Sequence, residues 1–78
     1  EQDENEDVKK EYVKWLLKAA EYESLTAMYL LGEYHENKGN IKECYRWYSI
    51  AANNGYEPAI NAIKKYKKTI FGNIKYKN

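Results

Sequence analysis

Arg46-Trp47-Tyr48-Ser49-Ile50-Ala51-Ala52-Asn53-Asn54-Gly55-Tyr56-Glu57-Pro58-Ala59 decides the fold. It reads as the second half of one helix, a tight turn and the start of another. Trp47, Tyr48, Ala51 and Ala52 stand at i, i+1, i+4 and i+5, a stripe of large then small side chains along one helical face. Gly55 suits the left-handed residue that ends a helix, and Pro58 suits a first helical turn.

A shift of 32 residues finds the same text upstream. Trp15 meets Trp47, Ala19-Ala20 meets Ala51-Ala52, Ala27 meets Ala59, Lys10-Glu11 meets Lys42-Glu43, and Lys14 meets Arg46. A period of this length with two helices per unit is the sequence mark of an α-solenoid. Paired alanines let two helix backbones approach, while the aromatic residues fill the wider gap beside them. Since an aromatic side chain buries roughly 150–250 Å², Trp15, Trp47 and Tyr48 are expected to supply much of the core.

From this centre the elements follow in order. Residues 1–6 are acidic and expected to be flexible. Val8, Tyr12, Trp15, Leu16, Ala19 and Ala20 recur at spacings of three and four, which predicts a first helix from about Asp7 to Tyr22. Ser24 is placed to cap a second helix, Leu25 to about Asn37. Gly32 inside that helix costs on the order of 1 kcal/mol against Ala, so close approach of a neighbouring helix is expected there. Asn40 with Glu43 three residues on resembles a capping box opening a third helix, Ile41 to Asn54. A fourth helix starts near Pro58, presents Ala59, Ile60, Ile63, Tyr66 and Ile70, and stops at Gly72. Residues 72–78 form a basic tail. No run alternates at period two, so no strand is expected.

The stretch Trp47-Tyr48-x-x-Ala51-Ala52-x-x-Gly55-x-x-x-Ala59, with Trp15-Leu16-x-x-Ala19-Ala20, Ala27 and Leu31-Gly32 before it, resembles the Sel1-like repeat, a relative of the tetratricopeptide repeat. Glu23 stands where that pattern has Gly, Tyr12 and Cys44 stand where it has a small Ala, and Lys64 replaces a Gly. The loop Lys38-Gly39-Asn40 is also shorter than the family's usual one. The resemblance implies an all-α fold, a right-handed α-α solenoid of about two helix-turn-helix repeats made by four antiparallel helices over residues 7–71. It also implies a protein-interaction scaffold or adaptor without catalysis, working as a subunit or fragment of a larger assembly.

Charge and size bound the rest. Formal net charge is +1, too near balance to steer the whole chain onto nucleic acid. Its distribution is uneven: six acids against two lysines in residues 1–11, and six lysines without an acid in residues 64–78. The single cysteine, Cys44, forms no internal disulfide, so compartment is not legible. No apolar run reaches the roughly 20 residues of a membrane span. The chain lacks an initiator Met and reads as a processed form or a piece of something longer.

Three surfaces are candidates for function. By analogy with related repeats, Tyr29, Glu33 and Glu36 with their equivalents Asn61, Lys65 and Lys68 line a partner groove, in which Glu33–Lys65 and Glu36–Lys68 are the expected pairs. Two short hairpins cannot cover all their apolar residues, so Tyr12 and Trp15 at one end and Ile63, Tyr66 and Ile70 at the other are expected contacts for another protein or peptide segment, or for a second copy. The lysines of 64–68 beside Tyr66 and Phe71 give the alternative, RNA or an acidic ligand, although Ile63, Tyr66 and Ile70 look core-facing. His35 and Cys44 stand alone and fall short of a catalytic or metal set. No residue is assigned to catalysis, a cofactor or a metal.

Overall fold

The computed structural model describes residues 2–68 and 72–76. Four helices come first: α1 Gln2–Glu21, α2 Leu25–Asn37, α3 Ile41–Asn53 and α4 Glu57–Ile63. Two short strands follow, β1 Tyr66–Lys68 and β2 Ile74–Tyr76. Each helix packs on the next in sequence, with three residues at each connection, so neighbouring helices double back on one another. The helix content and order agree with the sequence reading, whereas α1 begins earlier than expected and α4 ends earlier.

The three helix-to-helix turns are built alike. After α1, Glu23 N–H donates to the Ala20 carbonyl (2.8 Å) and Ser24 N–H to that of Ala19 (3.1 Å). After α3, Gly55 donates to Ala52 (2.9 Å) and Tyr56 to Ala51 (3.1 Å), the same bonds 32 residues on. Gly39 to Glu36 (3.0 Å) and Asn40 to His35 (2.9 Å) close α2 in the same way. This is the Schellman arrangement, which satisfies the last carbonyls of a helix and needs a left-handed residue after it. Gly39 and Gly55 supply that conformation at φ 80° and 88°, while Glu23 adopts it at φ 67° despite its side chain.

Helix starts are less uniform. The Ser24 hydroxyl accepts from the Ala27 N–H at 3.2 Å, as a cap should. Asn40 makes no side-chain cap bond, and Glu43 turns instead to Arg46 at 3.0 Å. The expected capping box is therefore absent, because an arginine one turn on offers the carboxylate a charged partner.

The interior has two adjoining clusters. Leu16, Ala20, Ala27, Met28, Leu31, Ala51 and Ala59 form the first, with Trp47 and Tyr29 against it. Of the paired alanines, Ala20 and Ala51 are buried and Ala19 and Ala52 half-buried, so each pair turns one member into the interior, and Ala27 and Ala59 are buried as well. Gly32 answers the expectation of close approach: a Cβ there would lie 2.4 Å from two ring atoms of Tyr48 on α3. Tyr48, Cys44 and Tyr66 form the second cluster, bordered by Tyr45, Ile63 and Ile74.

The hairpin corrects the expectation of a chain without strands. β1 and β2 pair antiparallel, with Tyr66 opposite Tyr76 and Lys68 opposite Ile74. Continued as helix, residues 64–68 would stack Lys64 on Lys67 and Lys68, and Lys65 on Lys68, with no acid among them. Such like-charge neighbours at i+3 and i+4 destabilise a helix. The extended form sends Tyr66 inward and Lys67 outward instead. A two-stranded ribbon is marginal by itself, and this one gains its stability by setting Tyr66 and Ile74 on the second cluster.

Candidate protein-interaction surface

The groove row expected along α2 is largely consumed by internal bonding. The Glu36 carboxylate accepts from the Tyr48 hydroxyl at 3.0 Å and the Lys65 ammonium at 3.0 Å, and it also accepts from the Tyr66 hydroxyl. Tyr66 in turn accepts from the Cys44 thiol at 3.3 Å. Burial alone would raise the Glu36 pKa, but the hydrogen bonds from Tyr66, Lys65 and Tyr48 outweigh it and hold the carboxyl below its usual range. Glu36 is thus the latch between α2, α3 and the segment that enters the hairpin.

That latch changes the expected charge pairs. Lys65, just past α4, takes Glu36, in place of the Glu36–Lys68 and Glu33–Lys65 pairing that an unbroken fourth helix would have set up. Tyr29 is half-buried, its ring centroid 5.4 Å from that of Tyr48 and 5.7 Å from that of Tyr56. Burial first, then the neighbouring Glu33 carboxylate, raises its pKa. Glu33 is half-buried beside it, while Asn61 and Lys68 are exposed. Tyr29 and Glu36 therefore act mainly as structure, and the row is not one continuous free groove.

The end faces differ from each other. At the C-terminal end Tyr66 is 3% exposed and Ile63 half-buried against the same cluster, so neither forms the open contact expected of them. The hairpin, unforeseen, is what covers them. Ile70 lies outside the described residues. At the N-terminal end Val8 is 66% exposed, Tyr12 46% and Trp15 62%. Trp15 was also expected in the core. It sits outside because α1 turns Leu16 and Ala20 towards α2, and that leaves the Trp15 side uncovered. Val8, Tyr12 and Trp15 recur at i, i+4 and i+7, one apolar stripe along the helix.

Sequence reasoning missed a second concave surface, the cleft between α3 and the hairpin. Its volume is about 350 Å³, and its lining includes Lys42, Tyr45, Arg46, Ile50, Lys68 and Ile74. Glu43 also borders it and is occupied by Arg46, whose guanidinium lies 4.8 Å from the Trp47 ring centroid. The signal was hidden because the cleft exists only once the hairpin folds back on α3.

His35 and Cys44 each have another neighbour. His35 stacks edge-on with Tyr34 at 5.3 Å, whereas the fully buried Cys44 thiol serves Tyr66. Burial raises the Cys44 pKa, which disfavours the nucleophilic thiolate. Among the described residues no helix is long and apolar enough to cross a membrane. No family model, curated protein or solved structure matches this chain.

Proposed function

We propose that this chain is a protein-interaction scaffold built from about two helical hairpins of the Sel1-like or tetratricopeptide kind, arranged as a right-handed α-α solenoid. It acts as an adaptor, subunit or fragment within a larger assembly. The observation that carries the reading is that, of three turns bonded alike, those at Ala19–Ser24 and Ala51–Tyr56 are each followed by a buried alanine, Ala27 and Ala59, 32 residues apart, whereas the turn at His35–Asn40 has Glu43 at that place. A repeat unit in such an array covers its apolar face with its neighbour, so an end without a polar capping repeat presents apolar side chains. The stripe Val8-Tyr12-Trp15 is such an end.

The supporting physics is simple. Exposed aromatic residues carry large contact area on few rotatable bonds, which makes them efficient anchors for a partner. Tyr12→Asp and Trp15→Asp should each weaken capture of a protein partner by about tenfold or more, given the usual weight of aromatic anchors. Far-UV circular dichroism should stay unchanged, because both side chains lie outside the core. Retention of full binding by both variants would overturn the reading. Binding that instead collapses steeply with salt and prefers RNA would favour the lysine-rich alternative.

A further inference from the structure

The shift of 32 residues that aligns the two halves of the sequence also compares the two ends of the fold, and they differ. α2 meets α3 through one row, Leu25, Tyr29, Gly32 and Glu36, spaced at i, i+4, i+7 and i+11. The Tyr29 ring centroid lies 5.4 Å from that of Tyr48, a Cβ on Gly32 would strike the same ring, and Glu36 accepts from its hydroxyl. Leu25 packs beside them on the first cluster. Moved on by 32, the first three places of that row fall on Glu57, Asn61 and Lys64, along α4 and at its C-cap, and all three are exposed. An apolar docking row has become a polar one, which is how a repeat array is closed off. The C-terminal end is capped.

The N-terminal end is not. On α3, the side that α2 covers includes Trp47 and Ala51. Ala51 is fully buried in one cluster with Ala27, Met28 and Leu31, and half-buried Trp47 packs against that cluster. The same side of α1 carries Trp15 and Ala19, with Tyr12 at the place of Cys44. There Trp15 is 62% exposed, Tyr12 46% and Ala19 half-buried. α1 turns Leu16 and Ala20 to α2, and no described helix covers the Trp15 side.

The geometry points to an α-helix of another protein as the occupant, seated on the Tyr12–Trp15–Ala19 side of α1 as α2 is seated on the Trp47–Ala51 side of α3. This inference rests on the interaction reading above and names the partner's chemistry. Its contact row mixes apolar residues with a glycine or alanine, as α2's row does, because Tyr12 brings bulk where α3 has only Cys44. A second copy has no such row to offer. Its α2 lies between its own α1 and α3, and its α4 is polar at the corresponding places. Charge does not select the partner, since exposed Asp7 and Glu11 stand among exposed Lys9, Lys10, Lys14 and Lys18. Apolar contact does, so binding should change little with salt.

A peptide with the α2 sequence, residues 24–37, is the probe. A hydrocarbon staple between positions 30 and 34, opposite the contact row, holds it helical, since so short a helix is marginal in water. Titrated with the full chain and followed by fluorescence anisotropy, it should saturate below about 1 mM at one peptide per chain. Tyr12→Asp and Trp15→Asp in the chain should each weaken binding at least about tenfold, while Lys64→Glu at the capped end should leave it unchanged. Far-UV circular dichroism of these variants should match the wild type. Tyr29→Asp in the peptide should weaken binding likewise, and that change leaves the chain's own fold untouched. Absence of saturation would overturn the inference, as would equal binding by the Trp15→Asp chain or by the Tyr29→Asp peptide. A wild type that dimerises in sedimentation velocity, with dimers lost on Trp15→Asp, would overturn it too, because a second copy would then cover the face. In any of these cases, binding of a different protein that is lost on Trp15→Asp would leave the interaction reading standing.

Discussion

Replacing Gly32 with Ala sets two effects against each other, and the structure says which wins. Ala is favoured over Gly in a helix interior by about 1 kcal/mol. Against that, the new Cβ would lie 2.4 Å from Cδ1 and Cε1 of Tyr48 and 3.2 Å from its Cγ. Ordinary contact begins near 3.4 Å, so the ring must shift by about 1 Å. It has nowhere to go. Tyr48 is 1% exposed and its hydroxyl is bound to Glu36 at 3.0 Å. Overpacking costs about 1–3 kcal/mol, and pulling a hydroxyl off a carboxylate costs roughly 1.5–3 kcal/mol more where the bond is lost. The expected net is a loss of up to about 2 kcal/mol if the hydroxyl bond survives and of about 1.5–5 kcal/mol if it is lost, read as a lower urea midpoint at constant slope. Gly32→Ala in a Tyr48→Leu background should lose less or gain, since a smaller, more flexible side chain yields. A Gly32→Ala variant more stable than the wild type by the full helix-propensity gain would refute the close approach of α2 and α3.

Other outcomes follow from single sites. Glu23 holds φ 67°, so Glu23→Gly should raise stability by up to about 1 kcal/mol, checked by thermal melting, while Gly55→Ala at φ 88° should lower it by a similar amount. The folded-state pKa of Glu36 is depressed, so its contribution is present above the unfolded value near 4.3 and is lost as pH falls through the folded one. Glu36→Gln should therefore flatten the acid limb of the stability profile, and an unchanged limb would exclude the latch. Ala51 is fully buried and Ala52 half-buried, so Ala51→Leu should cost about 1–3 kcal/mol in denaturant melts and Ala52→Leu less. Cys44 should react with a thiol reagent only as fast as the fold opens, and rapid labelling of the native chain would contradict its burial.

The parts that were legible share one property: they depend on short spacing. Helix order, the Gly55 turn, the Ser24 cap and the contact demanded by Gly32 are all set within a few residues of one another or by a direct facing pair. The hairpin was not legible, because Ile74-Lys75-Tyr76 is too short an alternation to register. Its pairing with Tyr66–Lys68 is chosen by the second cluster rather than by local preference. Once α4 stops at Ile63, the helical register that placed Lys65 opposite Glu33 no longer holds, and the Glu36 latch takes its place. The fate of Trp15 was ambiguous for a related reason. Periodicity says that a face is apolar but not whether a neighbour covers it. Tyr66 shows the converse, an aromatic expected at an open end and found beneath its own strand.

Cross-linking from the α1 face decides the central claim, that this chain works by offering that face to another polypeptide. A photoreactive residue is placed at position 8, 12 or 15 of the otherwise intact chain, with exposed Glu57 as the comparison site. Irradiation in the source cell should give protein adducts from the three α1 positions and little from position 57, and an adduct of twice the chain's mass would identify a second copy. Polypeptide adducts no more frequent at positions 8, 12 and 15 than at 57 would contradict the claim.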